Sequence, residues 1–256
     1  MASPSRNDGR KSTVLEQDSS VPRYYQLKEI IREQCASWEP GQLIPSELEL
    51  CQMYSVSRTT VRKALDHLTQ EGLLYRIQGK GTFIAPPKLR ERFVHQAAGI
   101  YEDMASRGVI IRTQMLEQAV VPASKLVAPE LQLVVGSPVI KLVRLRFVGD
   151  EPLLISTTFL PYRSFPGLEN QDLTNVSLYA LLREKYGIQL GHGTRLVEAV
   201  PSSDEEAELL HIAPVTPLLV VTGTMYDAEG RPVEYGFARL RGDRSQVEIT
   251  VVAQRS

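Results

Sequence analysis

The chain of 256 residues has two cysteines, one tryptophan and four histidines. Two cysteines cannot form the disulfide framework that staples small secreted domains. Cys35 and Cys51 both fall on apolar sides of expected helices, and we read them as reduced, buried thiols. Neither sits in a histidine pattern with zinc-ligand spacing, so no metal site and no cofactor is expected. His95, His192 and His211 are scattered, without a paired carboxylate or a nucleophile motif, and no catalytic residue is expected. No apolar run approaches the ~20 residues that cross a bilayer, and the beginning of the chain has no apolar signal region. A cytoplasmic protein without membrane contact is the corresponding expectation. Charge of one sign is missing too: Lys and Arg number 29 against 30 Asp and Glu, a formal net charge of −1. The overall balance gives no hint of a nucleic-acid partner.

The local balance is different. Arg58–Thr82 holds Arg58, Arg62, Lys63, Arg76 and Lys80 against Asp66 and Glu71, a modest basic patch that helps steer toward phosphates. Ser46-x-x-Glu49 after Pro45 is a capping-box pattern that starts a short helix, with Leu48, Leu50, Met53 and Tyr54 as its apolar side. Ser55-Val56 is a turn, and Ser57 caps a second helix running through Thr69. On it Val61, Ala64, Leu65 and Leu68 recur at three- and four-residue spacing and face inward. Arg58, Thr59, Arg62 and Lys63 therefore project outward from the first two turns, the part of a recognition helix that reaches base edges. An arginine fork can bind guanine bidentately and discriminates by about 1–3 kcal/mol. Thr59 and Thr60 can bond a phosphate or pack on a thymine methyl.

A solvated face of a core helix is the alternative for such a pattern taken alone. The next segment argues against it. Leu73–Ile77 and Thr82–Ala85 form an expected β-hairpin whose tip carries Arg76, Gln78 and Lys80 around Gly79 and Gly81. Glycines let a backbone approach a phosphate or a groove, and a plain turn needs no flanking cations. Upstream, Tyr25, Leu27, Ile30, Ile31 and Cys35 make a third helical stripe, completing a winged helix-turn-helix. From Pro22 to Ala85 the chain resembles the GntR family of bacterial transcription regulators. The resemblance is carried by Pro40-Gly41-x-x-Ile44-Pro45-Ser46-Glu47, Val56-Ser57-Arg58-x-Thr60-Val61-Arg62-x-Ala64-Leu65, Glu71-Gly72-Leu73-Leu74 and Gly79-x-Gly81-Thr82-Phe83. It implies that Arg58, Thr60, Arg62 and Gly81 contact operator DNA. With their neighbours Ser46, Ser57, Thr59, Arg76, Gln78, Gly79, Lys80 and Thr82 they make up the candidate DNA surface. Relatives often carry Arg just after the Ser-Glu pair; here Leu48 stands there, so a different operator preference is expected.

Beyond Ala85-Pro86-Pro87-Lys88 the pattern changes to an antiparallel sheet with helices around it, an α+β arrangement. Strands are expected at Gln114–Val121, Pro138–Phe147, Leu153–Leu160, Arg195–Val200, Pro217–Tyr226, Val233–Leu240 and Gln246–Val252. Helices are expected at Gly99–Arg107, Ala123–Leu131, Ser177–Tyr186 and Asp204–Leu210. Gly149-Asp150-Glu151-Pro152 and Asp227-Ala228-Glu229-Gly230-Arg231-Pro232 are hairpin turns. Arg144 and Arg146, two apart on a strand, leave it on one face. On an otherwise apolar strand two like charges are costly unless an anion joins them, or unless that face is an outer one where they meet water or acids.

Arg92–Val252 resembles the UTRA effector-binding domain of the HutC-type branch of GntR regulators, whose fold is that of chorismate lyase. Its motifs here are Glu102-Asp103-Met104-x-x-Arg107-Gly108, Arg144-x-Arg146, Glu151-Pro152-Leu153, Ser177-Leu178-Tyr179-x-Leu181-Leu182, Tyr186-Gly187-Ile188, Ala207-x-Leu209-Leu210 and Tyr226-Asp227-x-x-Gly230-x-Pro232-Val233-Glu234, followed by Arg241-Gly242-Asp243-Arg244. The resemblance implies a small anionic effector, a sugar phosphate or a carboxylate, held by Tyr101, Arg144, Arg146, Ser177, Tyr179 and Glu234. Ser177 can equally be only a helix cap and Tyr179 only core. Ser156 stands where relatives carry a Glu, which changes the polar half of the pocket.

The expected organisation is a disordered polar tail over 1–20, a winged helix-turn-helix over 21–86, a linker over 87–92 and an effector-binding and dimerisation domain over 93–254. The expected function is a ligand-responsive transcriptional regulator, a repressor acting as a homodimer on a palindromic double-stranded operator. The alternatives are a chorismate-lyase-like enzyme using Arg144, Arg146 and Glu234, or a DNA-binding protein deaf to ligands.

Overall fold

The computed structural model describes residues 15, 19–92, 104 and 108–249, with the backbone alone for 90–92. The chain divides into two compact units, Met1–Pro87 and Lys88–Ser256. The fold is α+β, a helical head followed by an antiparallel-sheet domain.

In the head, α1 (Arg23–Cys35), α2 (Glu47–Tyr54) and α3 (Arg58–Gln70) precede a hairpin of β1 (Leu74–Ile77) and β2 (Gly81–Ile84). Leu27, Ile31, Leu50, Val61, Leu65 and Leu68 are fully buried and form one core. Leu15, from the segment expected to be a tail, is buried with them; residues 1–14 and 16–18 of that expectation lie outside the described residues. Two expected apolar stripes need correction. On α2, Leu48 and Met53 are 52% and 59% exposed, because a helix of two turns has one contact stripe and Leu50, Cys51 and Tyr54 fill it. On α1, Tyr25 is exposed while Lys28 is buried, its ammonium 4.2 Å from the Tyr25 ring centre.

The burial of Lys28 is explained by Glu71, the residue that ends α3. Lys28 Nζ donates to it at 3.1 Å, and Arg32 donates to its other oxygen. Two cations of α1 thus clasp one carboxylate at the far end of α3. Burial pushes the Glu71 carboxyl up, but the bonds from Arg32 and Lys28 outweigh it and hold the pKa below the ordinary 4.5.

In the second unit, β4 (Ile111–Pro122), β5 (Pro138–Val148), β6 (Glu151–Pro161), β10 (Pro232–Arg241) and β9 (Pro217–Asp227) lie side by side, all antiparallel. The free edge of β9 is shared by β7 (Leu190–Gly193) and β8 (Leu196–Pro201). Around the sheet lie α4 (Val127–Glu130), α5 (Leu178–Tyr186) and α6 (Asp204–Leu210). Leu142, Leu160, Leu178, Tyr179 and Leu182 join α5 to one sheet face, whereas Val127, Ala128 and Val139 belong to a separate cluster under α4. The β9–β10 turn is closed by Asp227, whose carboxylate accepts from the amides of Glu229 and Arg231.

Several sequence expectations shift. The helix expected over Ala123–Leu131 shortens to α4, because Ser124 Oγ takes the Leu126 and Val127 amides and turns the chain there. Strand β7 was not expected, since Leu190-Gly191-His192-Gly193 lacks strand formers; its glycines are needed for close approach, a Cβ on Gly191 falling 2.5 Å from the Asp227 carbonyl. Part of the expected 87–92 linker is instead β3 (Leu89–Arg92), paired in parallel with β11 (Ser245–Glu248). The expected final strand therefore starts one residue earlier, and its end at 250–252 lies outside the described residues. So does most of the helix expected over Gly99–Arg107.

Glu71→Gln keeps the shape of the clasp and removes its charge. A group whose folded pKa is lowered stabilises fully above its unfolded value and loses that contribution as pH falls through the folded value. Thermal unfolding of the head should show the variant melting a few degrees lower at pH 7, with the gap closing below pH 4.5. A gap of constant size down to pH 3 contradicts an ionic clasp.

Candidate functional site

Most of the head's candidate residues are exposed. Ser46 closes a complete capping box: Glu49 N donates to Ser46 Oγ at 3.3 Å, and Ser46 N donates to Glu49 Oε2 at 2.7 Å. Ser57 caps α3 by accepting from Thr60 N at 3.2 Å, and its hydroxyl meets that of Thr60 at 2.9 Å. These three side chains set where the helices start. Arg58, Thr59 and Arg62 are exposed at the N-terminal end of α3. Arg62 is tethered across to α2 by Glu47, Nη2 to Oε2 3.2 Å. Lys63 sits 3.8 Å over the Tyr24 ring.

At the hairpin tip Arg76, Gln78, Gly79, Lys80 and Gly81 are all exposed and Thr82 is partly buried. Gly79 at φ +74° and Gly81 at φ +124° take backbone conformations that side chains resist. The wing is anchored to the chain before α2: Ile44 N donates to the Thr82 carbonyl at 2.9 Å and Ile84 N to the Gln42 carbonyl at 2.9 Å. Arg76 pairs with Asp66 of α3 at 2.6 Å. The tip and the start of α3 thus belong to one hydrogen-bonded body, with Arg62 and Arg76 already aimed by acids.

The second constellation lies on the sheet face beneath α5. Arg144 is 3% exposed on β5, directly across from Ser156 on β6, itself buried. Its only bond among the described residues is a long one, Nη2 to Thr158 Oγ1 at 3.4 Å. Its Nε and Nη1, and the Ser156 hydroxyl, are buried without a partner among the described residues. Burial lowers the Arg144 pKa, opposed by the negative Glu234 and the nearby Tyr179. Arg146, two residues along, is buried on the same side of β5.

Tyr179 comes from the first turn of α5 and is buried; its hydroxyl donates to Glu234 Oε1. Burial and then the Glu234 charge push this phenol well above its usual pKa, so it remains a proton donor. Glu234 is delivered by a β-bulge: the register between β10 and β9 slips between Pro232 and Glu234, which leaves Val233 as the extra residue. A bulge re-aims the side chains beside it. Ser177 caps α5, accepting from Ala180 N at 3.1 Å. Tyr101 lies outside the described residues. Two residues that the sequence did not single out join the group. Thr158 bonds Arg144, and Arg195, between β7 and β8, donates to the Tyr179 hydroxyl at 3.4 Å.

Arg241 shows what this fold does with a buried arginine that is structural. It is 7% exposed, and it meets Asp243 through two bonds, the Pro152 carbonyl at 3.1 Å and Glu151 at 3.0 Å. Arg144 has no carboxylate within ion-pair distance among the described residues. Leaving guanidinium N–H groups buried and unbonded is costly. The arrangement can accept a small anion on Arg144 and a hydroxyl or amine at Glu234.

Residues 23–84 match the family model described as "Bacterial regulatory proteins, gntR family", and residues 106–246 match the UTRA domain. The chain is 36% identical over 222 residues to the uncharacterized HTH-type transcriptional regulator YurK of Bacillus subtilis, covering 86% of this chain and 91% of that one. It is 31% identical over 232 residues to the HTH-type transcriptional repressor NagR of the same organism, covering 90% and 95%. Among solved structures it resembles PhnF from Mycobacterium smegmatis, with a TM-score of 0.64 at 26% identity, covering 89% of this chain and all of that one.

A buried charge without a partner weakens the fold that holds it, and an apolar residue of similar size removes the cost. Arg144→Met should therefore raise the stability of the ligand-free sheet domain, by roughly 1–4 kcal/mol in denaturant unfolding. A loss of stability of that size shows instead that Arg144 is a structural ion.

Proposed function

We propose a function from one premise: the chain belongs to the gntR family of bacterial regulatory proteins and carries a UTRA domain. Its relatives are transcriptional regulators, so the chorismate-lyase-like enzyme alternative is set aside on family grounds. The finer reading is a repressor that binds a palindromic operator as a homodimer in the cytoplasm and leaves it when a small anion enters the sheet domain. NagR and MngR, the latter from Escherichia coli, both bear the name repressor.

The observation that carries the ligand half is the buried Arg144, two of whose nitrogens, like the Ser156 hydroxyl across from it, have no partner among the described residues. A phosphate or carboxylate would satisfy them through charge-assisted bonds, which are stronger than neutral ones. Tyr179, Glu234 and Arg146 complete the site, and Ser177 contributes the helix start above it. The DNA half rests on Arg58, Thr59, Thr60 and Arg62 at the start of α3 with Gln78, Gly79 and Lys80 at the wing tip, a helix and a turn offered on one surface. Glu47 keeps Arg62 extended before DNA arrives, reducing the freedom lost on binding. Leu48, exposed at the second position of α2, presents methyls where relatives present an arginine, so an operator with a thymine methyl in place of a guanine suits it.

A coupling of about 1–3 kcal/mol between ligand and operator corresponds to a five- to 150-fold change in affinity, enough for induction. Operator gel shifts run across a panel of sugar phosphates and carboxylates test this directly. At least one anion should release the wild-type chain, and Arg144→Ala should bind the operator normally and ignore that anion. An unchanged response in Arg144→Ala removes the anion site, and silence of the wild type to every anion leaves the ligand-deaf reading. On the DNA side, Arg62→Ala should weaken operator binding by about 1–3 kcal/mol and spare random DNA. Equal loss on both shows that Arg62 meets phosphate only.

A further inference from the structure

We propose that Arg195 is a second ligand-binding arm of this pocket and that the effector carries two acidic groups, one for Arg144 and one for Arg195. The inference rests on the anion-site reading above and extends it to the class of ligand.

Arg195 is held in the site by the absence of a side chain. Position 223 of β9 is glycine, and a Cβ there would lie 1.9 Å from the Thr194 carbonyl and 3.0 Å from Arg195 Nη1. Any other residue at this position displaces the turn that carries Arg195. The turn is pinned to β9 by Thr194 N, which donates to the Thr224 carbonyl at 3.1 Å. From there the Arg195 guanidinium reaches inward, Nη1 to the Thr194 carbonyl at 3.0 Å and Nη2 to the Tyr179 hydroxyl at 3.4 Å.

These bonds use two of five guanidinium donors and go to a carbonyl and a neutral phenol. Arg195 has no carboxylate within ion-pair distance among the described residues. Glu234, which meets the same Tyr179 hydroxyl, is engaged by it. Arg144 and Arg195, with Arg146 also on this face, outnumber the Glu234 carboxylate, a positive excess that a neutral polyol does not answer. The register adds a path between them. Thr158, which bonds Arg144, pairs with Gly236 on β10, and Gly236 pairs with Gly223 on β9. Two neighbouring strands therefore present no side chain in the row that leads from Thr158 to the Arg195 turn. At about 4.8 Å per strand this row spans about 10 Å from β6 to β9, a length that an extended small molecule with an acid at each end bridges. Ser156 fits the same charge balance, since a carboxylate there would reduce the excess.

Calorimetry on the full chain at fixed ionic strength, with glucose 6-phosphate (one acidic group) and 6-phosphogluconate (two), tests the proposal. The wild type should bind 6-phosphogluconate about tenfold more tightly or better. Arg195→Gln should remove that advantage and leave glucose 6-phosphate nearly unaffected, Arg195→Lys should restore part of it, and Gly223→Ala should reproduce the Arg195→Gln result. Equal wild-type affinity for the two probes, or an advantage that survives Arg195→Gln, overturns the second arm while binding that still needs Arg144 leaves the anion site standing. Binding of neither probe, or binding indifferent to Arg144→Ala, overturns both.

Discussion

A guanidinium that is almost wholly buried on an interior strand, with no carboxylate within ion-pair distance among the described residues, constrains everything around it. Arg144 is not accommodated by packing alone, because its Nε and Nη1 have no acceptor among the described residues. The surrounding elements are arranged in relation to that charge. Ser156 faces it across the strand pair, Thr158 accepts a hydrogen bond from it, and the bulge at Val233 turns Glu234 toward the same region. The same domain satisfies Arg241 with Asp243, Glu151 and a carbonyl. The contrast within one sheet separates an arginine that serves the fold from one that waits for something outside it.

The head solves the opposite problem. The cations of its candidate DNA surface are exposed and cheap to hold, and what the fold provides is aim. Caps at Ser46 and Ser57 fix where two helices begin, and the backbone bonds of Ile44 and Ile84 tie the wing to the chain ahead of α2. Glu47 and Asp66 orient Arg62 and Arg76 through pairs that solvent screens and a phosphate can displace. The clasp of Lys28 and Arg32 on Glu71 holds α1 to the end of α3. This lets a small core support a surface given over to polar groups.

Much of this was legible in the residues. The capping box, the 3.6-residue stripe of α3, the two hairpin turns and the Arg144-x-Arg146 pair each announce themselves through local chemistry, and the structure places them as that chemistry demands. What escaped depends on contacts between distant segments. Lys28 reads as a break in the apolar stripe of α1 until Glu71 arrives beside it. Leu190-Gly191-His192-Gly193 reads as loop because the glycines that make β7 possible answer to the backbone of β9. Leu89–Arg92 reads as linker because its partner lies some 150 residues later, at Ser245–Glu248. Arg195 was missed for the same reason: nothing nearby in sequence marks it, and its place is set by a glycine on another strand. The signal that could have found it is Gly223 in the middle of an otherwise well-formed strand, since an interior glycine in a strand points to close approach by another backbone or a ligand.

The central claim is that Arg144 Nε and Nη1, without an acceptor among the described residues, are there to be bonded by an acid. The most direct measurement is a crystal structure of the chain with the ligand that releases it from its operator. The account predicts a phosphate or carboxylate oxygen within hydrogen-bond distance of Arg144 Nε or Nη1, over the face shared with Ser156. A ligand whose acid lies elsewhere, with Arg144 turned onto protein acceptors, contradicts it.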